Sequence, residues 1–547
     1  MERGRNNFPM LLRVTRTISR NALASGSECR STLEPDASAF RLMSLLKPKN
    51  NCGPLPIRII VSILLSVSGV LITSDFARSD DPANSIKWRE SQQTALQTVT
   101  QLEPQLKAVN KAIWEFAEVG LEERRSSALL VDKLKAAGFE VQTGLANMPT
   151  SFVASYGSGK PIIGILAEYD ALPNLSQQVA ADRVAVTDGA PGHGCGHSGL
   201  GTAAFGAAIA VKAAMEKHKL PGTIRLYGTP AEETLIGKVY MLLDGQFKDL
   251  DACLHWHPAA VNNVWVMSSK AAVSVKFSFA GTAAHASGSP SSGRSALDAV
   301  ELMNVGVNFM REHIKEDARI HYVITDGGGA PNVVPAKAES WYYVRANSHE
   351  DVEKYFAWVC DIAEGAAKMS RTKVKIQIDT DCHEIIGNRP LAELLHRNLT
   401  AVGAPKFSDE EKMFARKVQQ SLIDEFGSKF PLAIDESIQP LSFSDEPNKG
   451  STDVGDISWF VPTSGLRVSC FAADSPGHSW QNVSCIGSTI GEKGTITAAK
   501  ILAVSALDLI EKPEALAAAR EDFAKRMESK KYTSLIPKQQ KAPAKIR

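Results

Sequence analysis

The segment "PGHGCGHSGLG" at 191–201 places His193, Cys195 and His197 at alternate positions among glycines. It lacks the repeated cysteine pairs of a zinc finger and the second cysteine of a redox motif. Residues two apart cannot share one face of a helix, but glycines permit a turn that brings Cys195 and His197 together. Thiolate and imidazole are ligands that zinc prefers. The segment therefore predicts a two-ligand turn, with His193 in support and a buried free cysteine as the alternative.

A helix rich in alanine and glycine is predicted directly after this turn, over 199–218. The N-terminus of a helix carries partial positive charge, which favours the thiolate form of a nearby cysteine. We therefore expect Cys195 to ionise readily.

Three other segments contain candidate ligands much farther along the chain. They are "AEE" with Glu232 and Glu233, "HWHP" with His255 and His257, and "PGHSWQ" with His478. One of the two carboxylates can bind metal while the other accepts a proton from water. Carboxylate and imidazole ligands also suit manganese or cobalt. The alternative for Glu232 and Glu233 is a solvated pair of acids at the start of a helix. The alternative for "HWHP" is that one of its two histidines has only a packing role.

Polar side chains of this type follow three predicted strands at the point where each strand ends. The segments are "PIIGILAEYD" (161–170), "TIRLYGTPAEE" (223–233) and "ACLHWHP" (252–258). In open parallel sheets, functional sites lie beyond the carboxyl ends of the strands. The coincidence predicts one site at that edge.

The hydrophobic pattern changes character in the middle of the chain. Residues 268–382 read as β-α-β-β-α-β, starting from a strand at 271–281 whose alternation of apolar and polar residues predicts a half-exposed strand. We predict an α/β fold in which a mixed-sheet αβα catalytic domain (90–267 and 383–527) carries an inserted ferredoxin-like α+β domain for lid closure and dimerisation. The tail at 528–547 is rich in Lys and Pro, and we expect it to be loosely held.

Composition excludes several classes of protein. A formal net charge of +1 over 547 residues gives no overall field for nucleic acid or an anionic membrane. Eight cysteines are too few for a disulfide scaffold of this length. We therefore predict a globular protein that does not bind nucleic acid.

The first 80 residues are typical of a targeting segment. Residues 57–73, "IRIIVSILLSVSGVLIT", follow lysines and precede a polar stretch, which is the layout of a signal peptide. Met43 is a plausible start, with 1–42 as an upstream extension. The alternatives are an N-terminal membrane anchor and a buried core helix. We expect an exported protein, periplasmic or extracellular, with a signal peptide or anchor at about 43–78.

The segments above, together with "AEYDALP", "AAHASGSPSSGRSALDAV" and "STDVGDISW", resemble the two-metal amidohydrolases of the aminoacylase and carboxypeptidase superfamily. The resemblance extends over roughly 95–540. It is strongest to the branch of the superfamily that includes p-aminobenzoyl-glutamate hydrolases. It implies two divalent metal ions per chain, zinc or manganese.

The resemblance also implies roles for individual residues. Cys195 and His197 would be metal ligands, with the cysteine where other relatives have a bridging aspartate. Glu232 would be the general base and Glu233 a ligand. The remaining ligands would be His257 and His478, and His255 is then not required. Glu168 stands where more distant relatives have a ligand histidine.

Residues of the inserted domain gain roles from the same resemblance. His285 in "GTAAHAS" would stabilise the transition state, often across a dimer. Asn332 in "APNVV" and Arg345 in "YYVRA" would contact substrate, and Arg345 suits a carboxylate. The alternatives are a turn-capping role for His285 and an exposed strand charge for Arg345.

The expected function is hydrolysis of the amide bond between an acyl or aroyl group and an amino acid, as in p-aminobenzoyl-glutamate. The resemblance implies attack by metal-bound hydroxide on a small substrate that carries a carboxylate. It also implies a homodimer; the alternative is a complex with a heteromeric partner subunit. Rival functions are a dipeptidase for an unusual dipeptide and a non-catalytic binding subunit on the same fold.

Overall fold

The computed structural model describes residues 87–427, 429, 431–443 and 447–545. The predicted targeting segment at 1–80 lies outside these residues. Within the described part, one helix is long and apolar enough to cross a membrane, His197–His218. The apolar window of this helix is 83% buried inside the protein, so packing in the core accounts for its composition.

The helices and strands of the described chain alternate along most of its length. The helices are α1 (Glu90–Phe116), α2 (Arg124–Ala136), α3 (His197–His218), α4 (Gly237–Leu243), α5 (Ala296–Met310), α6 (His349–Ser370), α7 (Arg389–Val402), α8 (Asp409–Phe426), α9 (Val454–Ser458), α10 (Trp480–Ile486), α11 (Thr489–Glu511) and α12 (Pro513–Met527). The strands are β1 (Glu140–Thr143), β2 (Phe152–Ser158), β3 (Ile162–Ala167), β4 (Gly222–Gly228), β5 (Ala252–Ala259), β6 (Asn263–Val264), β7 (Ala271–Ala280), β8 (Arg319–Asp326), β9 (Lys337–Ala346), β10 (Lys373–Cys382) and β11 (Thr463–Ser469).

The larger sheet has seven strands in the order β1-β2-β4-β3-β5-β11-β6. Its central strands β4, β3, β5 and β11 are parallel, whereas the β1–β2, β2–β4 and β11–β6 pairings are antiparallel. The three strands predicted to end in polar residues are β3, β4 and β5, and their parallel arrangement is confirmed. Their carboxyl ends therefore meet at one edge.

Helices cover both faces of this sheet. Successive residues of β3 point to opposite faces, as the period of a strand requires. Ile163 and Ile165 pack in the core cluster that contains α1, α3 and α11, whereas Ile162 and Leu166 pack in the cluster that contains α4 and α9. The predicted mixed-sheet αβα architecture is confirmed.

Helix α3 lies close to the carboxyl end of β3. A Cβ at Gly201 would lie 2.6 Å from the carbonyl oxygen of Glu168, and one at Gly206 would lie 2.9 Å from the Leu106 side chain. Small residues therefore allow the N-terminus of α3 to approach the strand end where the candidate ligands lie.

Strand β11 was not predicted from the sequence. Its residues "TSGLRVS" combine small, polar and charged side chains, so they show neither an apolar run nor alternation. The strand forms because it lies between β5 and β6 and completes their backbone hydrogen bonding. It brings Arg467 into register with His257 on β5.

The smaller sheet has four antiparallel strands in the order β10-β7-β9-β8. Helices α5 and α6 pack on it around a separate hydrophobic core, which confirms the predicted ferredoxin-like α+β insertion. The expectation of a half-exposed first strand is wrong for its first five residues, all of which are buried. The reason is that Ala272 packs into the core cluster of α4 and α9, so β7 is covered on both faces.

The C-terminal tail is packed, contrary to the expectation of a loosely held segment. The Tyr532 hydroxyl donates to Asp456 Oδ1 over 2.9 Å, and the Leu535 amide donates to Asp381 Oδ2 over 2.6 Å. Gln540 donates to the carbonyl oxygen of Ile378 over 2.6 Å. These contacts satisfy polar groups of both domains, and composition alone gives no sign of them.

The same region contains a group of stacked rings, which we call the hinge cluster: His349, Asp381, His383, Asp456 and Tyr532. It lies where the chain leaves β10 and returns to the first domain. The rings of His349 and His383 stack 3.7 Å apart, and Tyr532 stacks 4.2 Å from His383 on centroids. His349 Nε2 lies 2.7 Å from Asp381 Oδ1, and His383 Nδ1 lies 3.2 Å from Asp456 Oδ1.

Candidate active site

The turn before α3 brings two candidate ligands to the sheet edge. Gly196 between them has φ +86°, and a Cβ there would lie 2.9 Å from Pro258 and 3.0 Å from Phe471. Only glycine satisfies both the backbone conformation and the space. As a result, Cys195 Sγ lies 3.3 Å from Nε2 of His257 at the end of β5.

His197 is the first residue of α3 and is fully buried. Its Nδ1 lies 2.8 Å from Asp170 Oδ1, a distance that fits donation from the imidazole to the carboxylate. Its Nε2 has no hydrogen-bond partner in the described chain and lies 3.4 Å from Glu168 Oε2. A carboxylate on one ring nitrogen and a free electron pair on the other is the usual arrangement of a metal-binding histidine.

Asp170 was missed by the sequence reasoning, although it ends the quoted strand "PIIGILAEYD". In addition to orienting His197, it accepts a hydrogen bond from the backbone N–H of Glu233 over 2.9 Å. One carboxylate therefore fixes ligands that come from two different strand ends.

Glu233 and His478 form the far side of the cluster. Glu233 Oε2 lies 3.2 Å from His478 Nε2, and Glu233 Oε1 is buried without a partner in the described chain. His478 has φ +56° and its side chain is 56% exposed. The predicted closing ligand is thus brought to the site from a strained, open loop.

The candidate ligand atoms fall into groups of three whose members lie within 4.8 Å of one another. One group is Cys195, His197 and His257, and another is Cys195, Glu233 and His478. A third joins His197 to Glu168 and Glu232. Cys195 belongs to the first two groups, so its sulfur would be shared between them if both held a cation. The donor set of sulfur, imidazole and carboxylate, with unpartnered buried atoms, fits divalent metal.

Burial changes the acid–base properties of these groups. Burial and the nearby charge of Glu233 raise the pKa of Cys195 far above its usual range. Burial and the neighbouring carboxylates therefore oppose the easy ionisation expected from the helix N-terminus. Burial also raises the pKa of Glu233 to about 8. It lowers the pKa of His257 to about 3.

Glu232 lies at the same strand end and is 8% exposed. Its Oε2 lies 3.9 Å from His197 Nε2. Burial, followed by the charge of Glu168, raises its pKa well above the usual range for a carboxyl. A carboxyl whose pKa is raised holds a proton more readily, which suits a proton carrier.

A buried ionic network lies behind Glu232, and the sequence reasoning missed most of it. Lys238 Nζ lies 2.8 Å from Glu168 Oε1 and 2.6 Å from Asp453 Oδ1. Burial opposes ionisation of Glu168, but the charges of Lys238 and His255 outweigh it and lower the pKa of Glu168. Glu168 therefore stays charged beside the ligand atoms.

The two histidines of "HWHP" have different roles. His257 contacts Cys195, as described above, whereas His255 Nε2 lies 3.1 Å from Glu168 Oε1. His193 also lies outside the ligand groups, since its Nε2 is 2.9 Å from the carbonyl oxygen of Ile113. The sequence analysis predicted a supporting role for His193 and did not require His255 as a ligand, and both side chains lie outside the ligand groups.

A cavity of about 540 Å³ opens beside the cluster. Its lining includes four of the five predicted ligands, the predicted base Glu232, and two arginines, Arg345 from β9 and Arg467 from β11. Nη1 of Arg345 lies 3.3 Å from Ser451 Oγ, and its Nε is buried without a partner in the described chain. Arg345 is thus not an exposed strand charge.

His285 and Asn332 do not line this cavity within one chain. Both are exposed, and His285 Nδ1 accepts hydrogen bonds from the N–H groups of Ser287 and Gly288 over 3.2 and 3.0 Å. In a single chain His285 therefore caps a turn of the inserted domain.

Comparison with known proteins identifies the family. Residues 164–435 match the model of peptidase family M20/M25/M40. The chain is 41% identical over 448 residues to one subunit of the p-aminobenzoyl-glutamate hydrolase of Escherichia coli (strain K12), covering 78% of this chain and 93% of that protein. The chain belongs to peptidase family M20/M25/M40. The predicted metal-dependent hydrolysis of amide bonds is therefore confirmed.

Two further matches have lower sequence identity to this chain. The chain is 28% identical to Xaa-Arg dipeptidase of Mus musculus, over 78% of this chain and 91% of that protein. Among solved structures, an aminobenzoyl-glutamate utilization protein from Klebsiella pneumoniae matches with a TM-score of 0.54 and 18% identity, covering 75% of this chain and 97% of that one. This structural match supports the fold.

Proposed function

We propose that this protein hydrolyses the amide bond between an acyl or aroyl group and an amino acid, with p-aminobenzoyl-glutamate as the model substrate. The observation that carries the proposal is a cavity in which a metal-binding cluster, the acid Glu232 and the cation Arg345 face the same space. The 41% identical relative is named for p-aminobenzoyl-glutamate, which supports an aroyl amino acid as the substrate.

We also propose two divalent metal ions, zinc or manganese, as the cofactors. Cys195, His197 and His257 would hold one ion, and Cys195, Glu233 and His478 the other. When bound, the ions supply Lewis acidity that polarises the amide carbonyl and acidifies water. They would also offset the burial and the carboxylate repulsion that raise the pKa of Glu233.

The side chains around the cluster have separable tasks in this proposal. Glu232 accepts a proton from the attacking water and passes it to the leaving amine nitrogen. Lys238 keeps Glu168 ionised and so holds a negative charge beside His197. Arg345 binds the carboxylate of the amino acid through its planar guanidinium.

His285 and Asn332 require a second chain in this scheme. Because they lie outside the cavity of their own chain, we propose that the protein is a homodimer in which these residues serve the partner's site. The relatives from E. coli include a second, different subunit of p-aminobenzoyl-glutamate hydrolase, which is 25% identical to this chain over 331 residues. That pair of relatives supports a heteromeric partner as the alternative.

A dipeptidase is the second candidate function. It is supported by the two Xaa-Arg dipeptidases, each 28% identical over more than three quarters of this chain. An Xaa-Arg substrate keeps the α-carboxylate that Arg345 would bind, but its C-terminal side chain is cationic, whereas that of p-aminobenzoyl-glutamate is anionic. The two functions therefore differ in the charge preferred at the amino-acid side chain.

The test combines metal content with a substrate panel. Purified protein is expected to contain about two transition-metal ions per chain and to cleave p-aminobenzoyl-glutamate faster than Xaa-Arg dipeptides. Glu232→Gln should keep the metal but lower kcat by about 10³-fold, because it removes a proton acceptor and no ligand. Wild-type activity in Glu232→Gln, or full activity without metal, would exclude the mechanism.

We propose in addition that the protein is exported or anchored to a membrane through the segment at about 43–78. The basic residues followed by an apolar core support this proposal. Cell fractionation should place the full-length chain outside the cytoplasm or in the membrane. A chain lacking 43–78 should remain in the cytoplasm, and an equal distribution of both would contradict the proposal.

A further inference from the structure

Arg467 is a half-buried cation on the strand next to one edge of the larger sheet. It lies on β11, between β5 and β6, in register with His257 on one side and Asn263 on the other. Register partners on neighbouring strands point to the same face of a sheet. Arg467 therefore faces the cavity beside a predicted metal ligand, and it lines that cavity.

Among the described residues, the guanidinium of Arg467 forms no ion pair and no hydrogen bond. Its central carbon lies 5.4 Å from the centroid of the Trp265 ring. Burial alone lowers the pKa of Arg467. By contrast, the partly buried Arg225 is paired with Asp249 at 2.6 Å. An uncompensated buried charge costs stability, which is a common property of residues that bind ligands.

The wall around Arg467 offers further unsatisfied donors. The indole Nε1 of Trp265 and Nε of Arg345 are both buried without a partner in the described chain, and both residues line the cavity. Trp265 directly follows β6 and Arg467 lies on β11 of the larger sheet, whereas Arg345 lies on β9 of the inserted domain. The cavity thus has two cationic positions on different walls, in addition to its cluster of acids.

We propose that Arg467 determines specificity by binding a second carboxylate of the substrate, the one on the side chain of the released amino acid. Arg345 would bind one carboxylate and Arg467 the other, so the preferred substrates are amides of dicarboxylic amino acids. This inference rests on the proposed amide hydrolysis but goes beyond it, because hydrolysis alone requires neither the second carboxylate nor Arg467.

The test uses substrates that differ only in that carboxylate, p-aminobenzoyl-glutamate and p-aminobenzoyl-glutamine. Arg467→Met should lower kcat/KM for the glutamate compound by about 100-fold, because a buried charged contact is lost. It should change kcat/KM for the glutamine compound by less than about 3-fold. Arg467→Lys should recover part of the preference, since it keeps the charge but not the planar fork.

Arg225→Met is a matched control, because it removes a strand arginine of the same sheet outside the cavity. It should leave the preference between the two substrates unchanged. Arg467→Met should keep its metal and unfold at a temperature no lower than the wild type, since it removes an unpaired buried charge. Equal losses on both substrates, no loss on either, or a folding defect would each assign Arg467 a different role and overturn the proposal.

Binding measurements separate this inference from the proposed function. Calorimetry with L-glutamate and L-glutamine should show tighter binding of glutamate by wild type and equal binding by Arg467→Met. That result would support Arg467 as a carboxylate site even if the wild type cleaved neither aroyl amide. Equal binding of both amino acids by wild type would overturn the inference, whatever the enzyme hydrolyses.

Discussion

The metal-binding cluster and the hinge cluster contain similar residues but differ in how their atoms are used. In the hinge cluster, each histidine has one aspartate partner, the rings stack on each other and on Tyr532, and a single atom, His383 Nε2, is buried without a partner in the described chain. In the metal-binding cluster, His197 Nε2, Glu168 Oε2 and Glu233 Oε1 are buried without partners in the described chain. A ligand site differs from a structural cluster in having several free electron pairs that converge beside a cavity. A high density of His and Asp residues is not sufficient.

The strongest test of this difference is Cys195→Ser. Cys195 belongs to two of the three candidate groups, so the change should weaken both proposed metal positions. Residues that only orient a metal ligand typically contribute about 10–100-fold to metal affinity or activity. Removal of a ligand shared by both proposed positions should therefore lower kcat/KM by more than about 100-fold. Metal analysis and activity of the same sample provide the measurement. Two tightly bound ions in the variant would show that Cys195 does not bridge.

Lys238→Met should have the largest effect on folding. It leaves Glu168 and Asp453 buried without their cation, which typically costs about 3–5 kcal/mol in the free energy of unfolding. Urea unfolding at pH 7.5 measures the loss. Lowering the pH should reduce it, because the stranded carboxylates can then be protonated; a loss independent of pH would indicate a packing defect instead.

Asp381→Asn breaks the hinge cluster and should have a smaller effect. The change removes the charged partner of His349 and weakens the bond from the Leu535 amide, for a loss of about 1–3 kcal/mol. Metal content and the substrate preference should stay at wild-type values. A variant that loses metal would show that the two clusters are coupled.

The smallest expected effect is a pH dependence of stability from the hinge. Burial favours the neutral ring of His349, but the hydrogen bond and charge of Asp381 outweigh it, with Glu353 and Asp456 adding to the effect, and raise the pKa. The stability that this supplies is fully present below the ordinary histidine pKa of about 6.5 and is lost as the pH rises through the raised value. Unfolding curves at pH 5.5 and 8.5 should show a larger difference for wild type than for His349→Gln. The opposite ordering would contradict the assignment.

The sequence predicted which candidate ligands would lie close together, because these residues follow strands directly. Cys195, Glu233 and His257 stand at strand ends or next to a helix start, so parallel strand order alone brings them together. The supporting contacts were not predictable in this way. Lys238 and Asp453 are 215 residues apart, and each has an ordinary local sequence, so only the tertiary fold shows that they pair.

Strand β11 and the tail were missed for a related reason. Arg467 adds a charge to a strand that already contains small and polar residues. The residue that points to function therefore also makes β11 hard to recognise from the sequence. The tail is rich in Lys and Pro, but its order depends on a few contacts made by Tyr532, Leu535 and Gln540. Local composition carries no information about such long-range docking.

The path of the chain into and out of the inserted domain has a mechanical consequence. The chain enters by β7 and leaves by β10, and these strands are neighbours with Ala272 opposite Cys382. Two adjacent connections define an axis about which the domain could rotate. The tail attaches to the same domain through Ile378 and Asp381, and to the first domain through Asp456 and Tyr240. It is therefore a third tether, and any such rotation must stretch or release it, which makes the C-terminus an unfavourable place for a truncation or a fusion.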